Sequence, residues 1–143
     1  SLLHTYRLGN SDITLNSDIK KDVFFNMDIA VPLGMIVNEL ITNSLKYAFT
    51  DRRAGELQIK LFSEVARNNL DNTGEFSEKD TRYILIVSDN GIGIPNEVNL
   101  ENTGTLGLQL VTILVEQLDG EVKLNRDKGT EFIISFSAEE KEK

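Results

Sequence analysis

The feature that most limits what this chain can become is an amphipathic segment at residues 28–50. Its apolar positions are Leu33, Ile36, Val37, Leu40, Ile41, Leu45 and Ala48, with small Ser44 filling the gap. That is the i, i+3, i+4, i+7 recurrence of a helix with one buried stripe. Pro32 fits a first helical turn, where its missing N–H costs nothing. Such a helix is stable only when the stripe lies on another apolar surface. Beside the stripe, Glu39, Asn43, Lys46 and Tyr47 fall at i, i+4, i+7 and i+8, so they share a second face at its edge. That face carries a carboxylate, an amide, an ammonium and an aromatic ring. An ordinary solvated face could hold the same residues.

The rest of the chain supplies the surface the stripe needs. Residues 56–62 alternate strictly between polar and apolar and read as a half-buried strand. Tyr83, Ile84, Leu85, Ile86 and Val87 form a continuous apolar run, which suits a central strand covered on both faces. Residues 121–125 and 130–136 are two more strands, joined by a tight turn through Gly129. A second helix is expected at about residues 106–118, ending at Asp119-Gly120, where the glycine suits the C′ position. Upstream, Ile13 and Leu15 alternate with polar neighbours, and Val23 to Met27 follows a Lys-Lys-Asp turn, so two short strands are expected there. Residues 1–10 read as a remnant of an upstream helix or linker, and the polar stretch 67–80 as a mobile loop. One α/β domain spanning residues 1–143 follows, a two-layer sandwich of one sheet with helices on one face.

Composition narrows the partners. A formal charge of −8 argues against nucleic acid or an anionic membrane surface, both of which select basic patches. It does not exclude a nucleotide, because backbone dipoles and a divalent cation offset negative charge locally. With no cysteine, neither a disulfide framework nor a thiolate metal site is possible. No apolar run approaches the roughly 20 residues needed to span a bilayer, so the domain is expected to be cytoplasmic, in a parent that is cytosolic or membrane-anchored. The opening Ser1-Leu2-Leu3, without Met, suggests a piece of a longer polypeptide.

Two glycine-rich stretches carry the remaining chemistry. In Ser88-Asp89-Asn90-Gly91-Ile92-Gly93-Ile94-Pro95, a strand delivers a carboxylate to its end and two glycines follow. Glycine permits close backbone approach to a ligand, and a fixed carboxylate can accept a hydrogen bond from an exocyclic amine. Asp-Asn-Gly is equally plain turn chemistry. In Gly104-Thr105-Leu106-Gly107-Leu108, two glycines open the second helix, where N–H groups and the macrodipole suit a phosphate. A flexible loop would use the same residues. Neither a P-loop nor a dinucleotide fingerprint occurs.

Taken in order, residues 38–47, 89–93 and 104–108, with Gly129-Thr130 on a closing strand, resemble the N, G1 and G2 boxes of sensor histidine kinase catalytic domains. These belong to the wider superfamily of gyrase, Hsp90 and MutL ATPases, with the Bergerat ATP-binding fold. Pro32-Leu33-Gly34 before the N box, and Lys46-Tyr47-Ala48-Phe49 at its end, look most like the subfamily with the second type of phosphoacceptor domain. The resemblance implies a protein-histidine kinase that binds ATP and Mg²⁺ and transfers the γ-phosphoryl group, in a two-component system. By the same resemblance Asn43 ligates Mg²⁺ through its amide oxygen, Lys46 meets phosphate oxygens and Tyr47 packs on adenine. Asp89 would read the adenine amine, directly and through a water shared with Thr130. Gly91, Gly93 and Ile94 would shape the adenine end, while Thr103, Gly104, Thr105, Leu106, Gly107 and Leu108 hold phosphates. Residues 95–103 would be a short lid, without a clear phenylalanine-bearing F box. Glu39 would orient the acceptor imidazole or take its proton, with a metal contact through water as the alternative.

His4 is the only histidine and stands before the first expected strand, outside any acceptor motif, so it reads as an exposed or packing residue. The acceptor is therefore expected on an upstream dimerisation domain, with a response regulator downstream and the isolated fragment monomeric. Two rival readings are a same-fold ATP hydrolase, with Glu39 activating water, and a non-catalytic nucleotide-binding sensor module.

Overall fold

The structure is a computed structural model and describes residues 2–8, 11–21, 23–49, 54–64, 81–92 and 106–139. The described elements run β1 (Leu2–Leu8), β2 (Ser11–Ile19), α1 (Met27–Asn43), a π-helical turn (Ser44–Ala48), β3 (Ala54–Glu64), β4 (Thr81–Asp89), α2 (Leu106–Gln117), β5 (Glu121–Asn125) and β6 (Thr130–Ala138). They form one six-stranded sheet in the order β1-β2-β3-β4-β6-β5. Only β2 and β3 pair in parallel; the other neighbours are antiparallel. Parallel neighbours need a long crossover, and α1 provides it, which lays the helix across the sheet.

The alternation of each strand then decides what the helices cover. Leu57, Ile59 and Leu61 of β3, Tyr83, Leu85 and Val87 of β4, and Phe132, Ile134 and Phe136 of β6 are all buried on one face. Most of them join Leu33, Ile36 and Leu40 of α1 and Leu108, Val111, Leu114 and Val115 of α2 in one core. This is the expected two-layer α/β sandwich with a mixed, mostly antiparallel sheet. Full burial of each such side chain stabilises by about 1.5–3 kcal/mol.

Several expectations are corrected. Leu2–Leu8 is not the remnant of a helix or linker but the edge strand β1, and His4 lies within it, opposite Leu15, rather than before the first strand. Residues 23–26 form no strand. Their alternation is real, with Val23 and Phe25 turned inward and Phe24 outward, but among the described residues no strand pairs with them. Phe25 instead seals the end of the core, its ring 5.0 Å from Tyr83 and 5.8 Å from Phe136. Among the described residues, helices cover strand β4 on one face only. On the other, Ile84 and Ile86 are half-buried and sit opposite Phe62 and Ile133 on neighbouring strands. Pro32 is inside α1 rather than in its first turn, because the helix starts at Met27.

At the end of α2, Asp119 rather than Gly120 takes the left-handed conformation, with φ 52°. The N–H of Asp119 donates to Glu116 O and that of Gly120 to Val115 O, each over 3.0 Å, the pattern of a Schellman motif. Gly120 serves close packing instead: a Cβ there would stand 2.5 Å from Ser135 O. The loop expected at 67–80 and the lid at 95–103 lie outside the described residues.

Candidate functional site

The α-helix that begins at Met27 does not run on unchanged to residue 50. From Ser44 to Ala48 it widens to a π-turn, so the residues after Asn43 are rotated less far round the axis than α-geometry would place them. Glu39 and Asn43 are half-buried, whereas Lys46 and Tyr47 are exposed. The four side chains expected on one equivalent face therefore occupy different depths.

The widened turn brings Ser44 over the end of β4. Its Oγ donates to Asp89 Oδ2 over 2.7 Å, and the Gly91 N–H donates to Asp89 Oδ1 over 2.9 Å. Asp89 is only 6% exposed, so a carboxylate there is tolerable because it is hydrogen-bonded. These two bonds use about half of the roughly four acceptor positions of a carboxylate. Directly opposite Asp89 in the β4–β6 ladder is Thr130, also buried. Paired side chains on one sheet face stand about 5 Å apart at Cβ, so Thr130 is a neighbour of Asp89 on that face.

The chain after β4 is tied down on both sides. Asn90 extends the ladder: its N–H donates to Glu56 O and its Oδ1 accepts from the Glu56 N–H. Ile92 N–H then donates to Ala48 O, the last residue of the π-turn. Gly91 runs so close beneath that residue that a Cβ would lie 2.3 Å from Ala48 O. Gly129, at φ 82°, passes Asp89 O just as closely, at 2.2 Å from where its Cβ would be. Both close approaches exclude any other residue type without backbone movement.

At the other end of the same helix segment, α2 begins against α1. A Cβ at Gly107 would stand 2.7 Å from Glu39 Oε2, and 3.4 and 3.5 Å from the two polar atoms of the Asn43 carboxamide. So the start of α2 packs directly against the Glu39 carboxylate, with the Asn43 carboxamide beside it, and a single methyl group would collide there. Asn43 is followed directly by Ser44, so this contact adjoins the Ser44–Asp89 bond along the helix. Segments far apart in the sequence thus meet, on α1, after β4 and at the start of α2. Gly93, Ile94, Thr103, Gly104 and Thr105 lie outside the described residues. Leu106 opens α2, and Leu108 is buried in the core.

Sequence reasoning missed Ser44, which it read as a space-filler. The residue type offered no signal; only its position opposite Asp89, 45 residues on, reveals the hydroxyl's use.

A family model described as "Histidine kinase-, DNA gyrase B-, and HSP90-like ATPase" matches residues 28–140. The chain belongs to this family. Among relatives of this ATPase-family domain, the Blue-light-activated histidine kinase 2 of Erythrobacter litoralis is 31% identical over 110 residues, 77% of this chain and 28% of that protein. The Sensor histidine kinase PdtaS of Mycobacterium tuberculosis is 32% identical over 110 residues, 75% of this chain and 19% of that protein. The domain thus spans under a third of either relative. Among solved structures, the histidine kinase domain of the Erythrobacter litoralis EL346 blue-light activated kinase superposes with a TM-score of 0.70 at 29% identity, covering 90% of this chain and 52% of that one. The mycobacterial sensor histidine kinase MprB shares the fold, with a TM-score of 0.59 at 18% identity over 90% of this chain and 84% of that one. The likeness to sensor histidine kinases read from the three boxes therefore holds. Among the described residues, no helix is long and apolar enough to cross a membrane.

Proposed function

We propose that the domain binds ATP with Mg²⁺ and delivers the γ-phosphoryl group to a histidine on a separate segment, as the kinase core of a two-component system. The observation that carries this reading is the pairing of two different ends on one helix segment. Asp89, clamped by Ser44 and the Gly91 N–H beside Thr130, suits the amine edge of a purine. Just before Ser44 on the same helix, the Glu39 carboxylate and the Asn43 carboxamide stand against the glycine start of α2, where hard oxygens and helix N–H groups suit a phosphate oxygen or its cation.

The donor set supports Mg²⁺. The Asn43 amide oxygen is a hard ligand, and the Glu39 carboxylate is a second, reaching the ion through water. That suits Mg²⁺, which takes one or two protein oxygens and completes its shell with phosphate and water. When bound, the ion offsets charge on the phosphate oxygens. Lys46 adds a cation toward the same oxygens, and exposed Tyr47 offers its ring to the adenine. Gly93, Ile94, Thr103, Gly104, Thr105, Leu106, Gly107 and Leu108 line the nucleotide in this reading.

The chemistry is positioning and charge stabilisation rather than covalent work by the protein. An imidazole nitrogen of the acceptor forms a P–N bond to the γ-phosphorus as the bond to the bridging oxygen breaks. ADP leaves with that electron pair. The imidazole proton passes to a base, a role this reading gives to the Glu39 carboxylate beside the start of α2. The reading is tested by titrating Mg·ATP and Mg·GTP into the domain and into Asp89→Asn. ATP should bind more tightly than GTP, and the variant should lose most of that preference; equal affinities in the wild type would refute it. Phosphate release without any acceptor, abolished in Glu39→Gln, would favour hydrolysis instead.

A further inference from the structure

A small second cluster of buried side chains stands apart from the main core, at the end of the sheet where Asp89 lies. It consists of Ile13 of β2, Leu57 of β3, and Ala48 and Phe49, which close the widened turn. Phe49 is 4% exposed, and its ring lies on Gly55: a Cβ there would stand 2.3 Å from two of the ring carbons. Gly55 is within β3 and has no left-handed angle to serve, so the close approach of the ring is what requires a glycine there. We propose that Phe49, seated on Gly55, is a positioning residue for the purine: it holds the widened turn against the start of β3 and so sets where Asp89 meets the base. The inference rests on the nucleotide reading above and adds what keeps the base end in place.

The contacts close a circuit. Phe49 follows Ala48, whose O accepts the Ile92 N–H over 3.0 Å. Two residues before Ile92, Asn90 bonds to Glu56 twice, donating its N–H over 3.2 Å and accepting at Oδ1 over 2.8 Å. Glu56 adjoins Gly55, on which the Phe49 ring rests. Asp89 immediately precedes this circuit, and its carboxylate is tied to both sides of it. The Gly91 N–H holds it from the chain after β4, and the Ser44 hydroxyl from the start of the turn. The other links are hydrogen bonds or the chain itself. Only where the ring meets Gly55 does the bulk of a side chain set the spacing.

That contact is tight enough to transmit a displacement. Carbon atoms in ordinary contact stand about 3.5–4.0 Å apart, so a methyl group on Gly55 must drive the ring off by more than about 1 Å. A misplacement of about 1 Å in a positioned group can cost on the order of 100-fold. The phosphate end is held separately. Glu39 and Asn43 precede the widened turn, on the part of α1 whose Ile36 and Leu40 lie in the main core. A disturbance at Gly55 therefore reaches the base and spares the phosphates. Its signature is weaker and less selective nucleotide binding with the transfer step retained.

The test uses the full-length protein, measuring ATP and GTP dissociation constants, the KM for ATP and the rate of labelling at saturating γ-labelled ATP. Gly55→Ala should weaken ATP binding about tenfold and GTP binding less than about threefold, raise KM in step, and leave labelling at saturation within about threefold. Phe49→Leu alone, which unseats the turn without a collision, should lower the ATP-to-GTP preference about threefold or more. Combining the two removes the ring that the new methyl group strikes, and should recover most of the ATP affinity lost in Gly55→Ala; a loss of stability alone would not be reversed in this way. Phe25→Ala, at the far end of the core beside Tyr83, should lower Tm and keep the ATP-to-GTP ratio. Affinities for both nucleotides within about twofold of wild type in the two single variants, whatever their Tm, would overturn the positioning role and leave the kinase reading intact. Equal losses for ATP and GTP, or labelling that falls at saturation with KM unchanged, would overturn it in the same way. A wild-type protein that binds ATP and GTP equally would overturn the purine reading itself.

Discussion

Replacing Ser44 by alanine removes the hydroxyl that donates to Asp89 Oδ2 over 2.7 Å. A hydrogen bond to a carboxylate is worth about 1.5–3 kcal/mol where water cannot easily substitute, and the Asp89 carboxylate is nearly buried. Alanine returns roughly 0.5 kcal/mol through its better helix propensity. The net loss is therefore about 1–2.5 kcal/mol, or roughly 3–8 °C in Tm for a domain of this size. Thermal unfolding by circular dichroism without nucleotide measures that term. The functional term is separate: with only the Gly91 N–H still holding it, Asp89 is free to turn away from a purine amine. ATP affinity should fall about tenfold, equivalent to about 1.4 kcal/mol, while GTP affinity hardly changes. Pairing the change with Asp89→Asn in a double-mutant cycle should give a coupling of about 1–2 kcal/mol. A Tm within 1 °C of wild type, with ATP affinity within about twofold, would show that the hydroxyl does not hold the carboxylate and would remove the basis of the estimate.

Gly107→Ala should leave stability almost unchanged, because the helix gain of up to about 1 kcal/mol is offset by pushing the Glu39 carboxylate aside; Mg·ATP affinity, read by calorimetry, should nevertheless drop tenfold or more. Gly129→Ala places a Cβ against Asp89 O at a positive φ, and should cost about 2–4 kcal/mol in denaturant unfolding. Phe25→Ala opens the end of the core beside Tyr83 and Phe136 and should cost about 2–4 kcal/mol, less than a fully buried ring because Phe25 is only partly buried, with nucleotide affinity preserved.

What the sequence alone determined is whatever repeats locally. The stripe of α1, the alternation of β3 and the apolar run of β4 each report a period of 3.6 or 2, and each became the expected element within a few residues. The glycines at 91 and 107 were legible as places of close approach, with a plain turn or loop as the alternative, and Gly129 as part of a tight turn. What approaches them was not. Strand order, the lone parallel pairing of β2 with β3, and the strand at Leu2–Leu8 all depend on partners distant in the sequence. The alternation at Val23 to Phe25 was misread for the same reason: it records an extended backbone facing the core, and only the assembled sheet decides whether a neighbour is there to bond it. The widened turn at Ser44–Ala48 left no mark in the sequence pattern. The site therefore divides cleanly. Apart from Ser44 its residues were legible one segment at a time, whereas the bond from Ser44 to Asp89 and the contact of Gly107 with Glu39 and Asn43 exist only because α1 and α2 pack over the same sheet face.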